Sequence, residues 1–194
     1  MKRSHLLGLA LALEGTLVGL AVGADALLDV PPYWGWPGYR AVAASVVAVF
    51  PMLGMLYLSV NGRLPGAESL RRSIDDVLLL FDGANKWDLL VVSILAGTAE
   101  EVLFRGVMVG WMTGSLGVAA AIIVSSIVFG LVHAISLVYA VYAMLVGAYF
   151  AILFVTTGDI WVPILTHTLY DFLALGWLTA KRAPLAGSPV ADSF

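Results

Sequence analysis

Leu137–Thr156 reads LVYAVYAMLVGAYFAILFVT, twenty residues without a charge. A helix needs about 20 mostly apolar residues to cross the hydrocarbon core of a bilayer. The same criterion, applied outward in both directions, gives six candidate spans: 6–28, 38–60, 87–113, 116–135, 137–156 and 160–180. The third is long and is expected to tilt or protrude. Composition agrees, because 61% of the 194 residues are hydrophobic and only 12% are charged, against about 45–50% and 25% in soluble domains. The fold class is therefore all-α: a polytopic membrane helix bundle of about six transmembrane helices plus one interfacial amphipathic helix. Residues 1–194 form a single integral membrane domain.

Several function classes fall away at once. A net charge of −3 with no basic run gives no sign of a nucleic-acid partner. Zero cysteines exclude disulfides, thiol catalysis and thiolate metal sites together. The start, Met1-Lys2-Arg3-Ser4-His5 before an apolar run, has the look of a signal peptide, and Val22-Gly23-Ala24 resembles a small-residue cleavage site. Glu14 interrupts the would-be apolar region, and a multi-span protein can keep its first helix as an uncleaved anchor.

Between spans the punctuation is clear. Val30 to Pro37 is a Pro/Gly turn rich in interfacial aromatics. Residues 62–86 form a connector in which Leu70, Ile74, Val77, Leu78 and Phe81 recur at helical spacing. Arg71/Asp75 and Arg72/Asp76 stand four apart on its polar side, so the segment is expected to be an amphipathic helix on the membrane surface. It is either a plain connector or a gating and docking element. Lys2, Arg3, Arg63, Arg71, Arg72, Lys86, Lys181 and Arg182 fall on one side if there are six spans, while the other loops carry only Arg40. The positive-inside rule then puts both termini and the 62–86 connector in the cytoplasm, in a multi-pass protein of an inner or plasma membrane. Trp161 and Trp177 fit an aromatic belt, and Asp159 reads as an N-cap. No internal repeat is visible, which counts against a carrier built from inverted halves.

Ionisable residues interrupt this apolar background in three places: Glu100-Glu101-Val102-Leu103-Phe104-Arg105, Phe129-Gly130-Leu131-Val132-His133 and His167-Thr168-Leu169-Tyr170-Asp171. Each charge at mid-membrane costs roughly 2.5–3.5 kcal/mol on insertion scales, and such residues mark functional sites by default. At about 100° per residue, Glu101 and Arg105 lie about 40° apart on one helix face, and Glu100 and Arg105 about 140° apart. Glu101 is thus the partner of Arg105, and Glu100 is the free carboxylate. All three could equally form one structural network. Phe129 and His133 share a face, as do His167 and Asp171, where the carboxylate favours an imidazolium able to donate to an oxyanion. Gly106 and Gly110 form a small-xxx-small face, with Gly147 in a similar role; Ser125 and Ser126 read as packing residues. By donor type His133, His167, Asp171 and Glu100 suit zinc, yet no His-Glu-x-x-His is present. No metal or cofactor is expected, although donor type alone leaves zinc open.

The order Glu-Glu-x-x-x-Arg, Phe-x-x-x-His, His-x-x-x-Asn/Asp resembles the type II CAAX prenyl endopeptidase and bacteriocin-processing family, also called ABI or CPBP, whose members are intramembrane glutamic endopeptidases. Residues 157–167 also look like the family's approach to its third motif, and the resemblance covers a core at 88–178. It implies that Glu100 and His133 activate a water and that His167 and Asp171 form the oxyanion site. Glu101 and Arg105 would support the glutamate, with Phe129 the first residue of its motif. Eukaryotic prenyl-processing members favour Asn where Asp171 stands. An ionised Asp cannot donate as an amide can, so Asp171 either carries a proton or holds His167 charged to donate alone; the second is preferred.

The expected function is hydrolysis of a peptide bond in a membrane-associated protein or peptide precursor, with the lipid bilayer as the other partner. The competing class is a non-proteolytic membrane protein, either a proton-linked carrier or an immunity or scaffold factor of the same fold.

Overall fold

Apolar runs become helices throughout the computed structural model, which describes residues 3–28, 36–63 and 65–186. The helices are α1 (Arg3–Leu28), α2 (Tyr39–Val60), α3 (Ala67–Leu80), α4 (Lys86–Glu101), α5 (Gly110–Leu116), α6 (Val118–Val132), α7 (Leu137–Thr157) and α8 (Trp161–Ala186). No strand occurs among the described residues. The turn expected at 30–37 lies mostly outside them, as do Met1 and Lys2.

By length and composition alone, His5–Leu28, Tyr39–Val60 and Leu137–Thr157 can cross a membrane. Val118–Val132 is as apolar but shorter, about 22 Å at 1.5 Å per residue. The third expected span is divided among α4, a π-helical stretch and α5, none long enough alone to cross, and the sixth is made more polar by His167 and Asp171. Large apolar side chains such as Leu11, Val22, Val47, Phe50 and Ile123 face outward. An apolar exterior of this kind suits lipid and not water.

The third span is not one regular helix. α4 passes without a break into a π-helical stretch, Val102–Val109, and then into α5. A π turn widens the helix and disturbs the i→i+4 ladder, and such turns are frequent at functional sites. Here the Ser125 hydroxyl of α6 donates to the Phe104 carbonyl inside it, at 3.4 Å. Nothing in the local residue pattern announced the widening. Gly117, at φ 83°, then turns the chain into α6.

α3 is the amphipathic helix. Leu70, Ile74 and Leu78 are buried against α2, α7 and α8, so its apolar face packs on protein. Arg72 pairs back with Glu68, not forward with Asp76. An acidic residue N-terminal to a basic one four positions on is the better orientation along a helix. Ser73 of α3 meets Ser136 of the α6–α7 turn at 2.8 Å, and Asp82 faces Arg182 at the end of α8 at 3.5 Å. The connector, the α6–α7 turn and the end of α8 therefore gather at one end of the bundle.

Two apolar clusters frame the centre. One joins α2, α3, α7 and α8 through Met52, Leu56, Leu70, Ile74, Phe150 and Tyr170. The other joins α1, the π stretch, α5, α6 and α7 through Ala21, Val109, Met112, Ala121 and Phe154.

Candidate active site

Asn85 starts α4 with a capping box: its side chain accepts from the N–H groups of Trp87 and Asp88, and Asp88 accepts from the N–H of Asn85. This satisfies orphan donors at the helix start. Further along, Gly97 brings α4 against α8. A Cβ there would stand 2.4 Å from Thr168 Oγ1 and 2.9 Å from its backbone N. The contact fixes Glu100 and Glu101 relative to His167, the residue before Thr168.

Glu101 and Arg105 are wholly buried. Glu101 Oε1 accepts from Arg105 Nη1 at 3.0 Å and from His167 Nδ1 at 2.9 Å. Arg105 Nη2 donates to the carbonyl of Gly147 at 2.7 Å. The guanidinium also lies over the rings of Phe129 and Phe150, at 4.6 and 5.3 Å. A buried charge is tolerated only when paired and hydrogen-bonded, and this network ties the π stretch to α7 and α8. Gly147 serves it twice, through its carbonyl and by leaving room for Phe129, which a Cβ would approach to 3.1 Å.

Glu100 points elsewhere. Its Oε2 lies 3.5 Å from His133 Nε2 and has no hydrogen-bond partner among the described residues. His133 stands just beyond the end of α6, not within the helix. Its Nδ1 is 2.8 Å from the Phe129 carbonyl. A carbonyl only accepts, so Nδ1 carries a hydrogen and Nε2 is the atom turned to Glu100. The ring stacks on Phe129 with centroids 4.3 Å apart. His167 stacks on Phe150 at 4.7 Å and places Nε2 3.4 Å from Asp171 Oδ2. Both of its ring nitrogens thus face carboxylates.

Glu100, Phe129, His133, His167 and Asp171 line one cavity of about 470 Å³, which Leu80 and Phe81 at the C-terminal end of α3 and Ala134 and Ile135 of the α6–α7 turn also line. Glu101 and Arg105 lie behind its wall. All seven residues singled out from sequence therefore belong to one locality, four of them with polar groups facing the cavity. Among the described residues no three His, Asp or Glu side chains converge closely enough to hold a metal ion.

Sequence reasoning missed three participants. Phe150 and the Gly147 carbonyl carry no signal, being an ordinary aromatic and a backbone group inside an apolar run. Glu14 of α1 also lines the cavity, and its signal was plain: a lone carboxylate within span 6–28, read only as an interruption.

The family model described as type II CAAX prenyl endopeptidase Rce1-like matches residues 83–173. That stretch begins just before α4 and ends just past Asp171. A relative from Bacillus subtilis (strain 168), the candidate membrane peptidase YdiL, is 35% identical over 83 residues, 43% of this chain and 34% of that protein. The chain thus spans about a third of the length of the curated relative it matches. No solved structure matches it.

Proposed function

Because its core belongs to the type II CAAX prenyl endopeptidase family, we propose that this membrane protein is an intramembrane endopeptidase of the glutamic type, acting on a membrane-associated protein or peptide precursor. The observation that carries this reading is the pairing of Glu100 Oε2 with His133 Nε2 at 3.5 Å, opposite His167 Nε2 in the same cavity. The attacking water is placed beside this pair, on its cavity side, within reach of both side chains.

Glu100 takes a proton from this water as its oxygen adds to the scissile carbonyl carbon. His133, held by the Phe129 carbonyl, orients the water through Nε2. The carbonyl oxygen becomes an oxyanion and meets the N–H at His167 Nε2, whose ring is fixed by Glu101 on one side and Asp171 on the other. Collapse breaks the C–N bond, and the proton held by Glu100 passes to the leaving amine. Glu101 and Arg105 position the donors and touch no reacting atom.

Six spans, with both termini and residues 62–86 in the cytoplasm, accompany this proposal. The contacts Ser73–Ser136 and Asp82–Arg182 support it, because a six-span path puts all four residues on one side. Substrate then reaches the cavity from the cytoplasmic end. The test is cleavage of a membrane peptide by purified protein in nanodiscs. Loss with Glu100→Gln, His133→Ala and His167→Ala is expected; full activity in any of the three sinks the assignment.

A further inference from the structure

Glu14 sits near the middle of α1, in a span whose other neighbours are almost all apolar. An intramembrane carboxylate is costly and is normally matched by a named partner. Glu14 has none: its Oε2 is buried with no hydrogen-bond partner among the described residues. α1 packs on α4 and the π stretch, which brings Glu14 to the same cavity as Glu100, His133, His167 and Asp171.

The charges on this cavity do not balance. Glu14, Glu100 and Asp171 line it, against two histidines and no lysine or arginine. Arg105, behind the wall, is wholly buried and directs its donors to Glu101 and Gly147. Glu100 and Asp171 already face histidines, so Glu14 is the carboxylate left over. Tyr139, Tyr142 and Phe81 line the same cavity. Aromatic faces of this kind accept the aliphatic stem and cationic head of a lysine or arginine.

We propose that Glu14 is a specificity-determining residue that receives a lysine or arginine side chain of the peptide substrate close to the scissile bond. The proposal rests on the hydrolytic reading above and narrows its substrate class. The cytoplasmic presentation of substrate proposed above suggests why such a cation would be present. Membrane proteins carry Lys and Arg just cytoplasmic of their spans, so a segment presented from that side carries basic residues into the cavity that Glu14 lines.

The experiment uses full-length protein in nanodiscs and quenched membrane peptides that differ at a single position near the cleaved bond: lysine, norleucine or glutamate. For the wild type, kcat/KM is expected to favour lysine over norleucine by about tenfold or more, the worth of one charge-assisted hydrogen bond. Glu14→Gln should erase that ratio by lowering kcat/KM for the lysine peptide far more than for the norleucine peptide, and Glu14→Lys should shift preference to the glutamate peptide. Equal cleavage of lysine and norleucine peptides by the wild type overturns the proposal, as does an equal fractional loss on both in Glu14→Gln. Binding of the same peptides to Glu100→Gln protein separates this from the parent reading. Lysine preference in binding that depends on Glu14, with no cleavage by the wild type, would support the cation site and refute the protease. Binding without preference refutes the cation site alone.

Discussion

Replacing Arg105 by Met leaves a volume close to the original but strips the buried network of its only fixed cation. Two hydrogen bonds go, to Glu101 at 3.0 Å and to the Gly147 carbonyl at 2.7 Å. The Glu101 carboxylate, with no exposure to solvent, is left with His167 alone. Breaking a buried pair from one side costs about 3–5 kcal/mol, because an uncompensated charge stays behind. Glu101→Gln should cost a similar amount for the mirror reason, a guanidinium left among Phe104, Phe129 and Phe150. The double variant holds no stranded charge at this pair. Its loss should fall short of the sum of the singles by about 2–3 kcal/mol, the upper range for residues in one network. Reversible unfolding in mixed micelles of graded SDS content, followed by tryptophan fluorescence, measures all four proteins. Additive losses would refute the reasoning, since they would mean that neither charge depends on the other.

Glu100→Gln keeps the side-chain shape and should cost less stability than Glu101→Gln, because His133, unlike Arg105, can lose its charge, while cleavage falls by roughly 10²–10⁴, the usual worth of a general base. Asp171→Asn should keep kcat within about tenfold, because an amide can face His167 Nε2 or donate directly, whereas Asp171→Ala should lower kcat with little change in KM; the two constants measured on one peptide check this. Gly97→Ala should destabilise by about 1–3 kcal/mol through overpacking. Thr168→Ala in the same chain should relieve this only in part, as the backbone N at 2.9 Å remains. The chain has no cysteine, so single cysteines at Asn61 and Ser115 report topology directly: Asn61→Cys should label from the cytoplasmic face and Ser115→Cys from the opposite face.

Helix positions were readable because apolar run length is a one-dimensional property. The fifth span, expected at 137–156, is Leu137–Thr157 in the structure. The amphipathic connector was readable for the same reason, through Leu70, Ile74 and Leu78. Pairs four apart in one helix, Glu101 with Arg105 and His167 with Asp171, also follow from spacing. Contacts between helices do not. Periodicity carries no information on the approach of His167 to Glu101, which depends on Gly97 admitting Thr168. Nor could a regular wheel show the π stretch that begins immediately after Glu101.

Those inter-helix contacts give the two adjacent glutamates different tasks. Glu101 faces inward with no exposure to solvent, and its Oε1 is held by both Arg105 and His167, which makes it rigid and keeps it from water. Glu100 lines the cavity, with no fixed cation of its own and only His133 beside its Oε2. A carboxylate paired with a fixed guanidinium away from the cavity makes a good strut and a poor base, and one that lines the cavity beside a histidine the reverse. Neighbouring positions on a helix point about 100° apart, so one Glu-Glu step supplies both without moving the backbone. Exchange of the two roles is therefore not expected: Glu101→Gln should act first on stability and on how His167 is held, and Glu100→Gln first on the chemical step. A Glu101→Gln protein that unfolds like wild type yet has lost all cleavage would show this division to be mistaken.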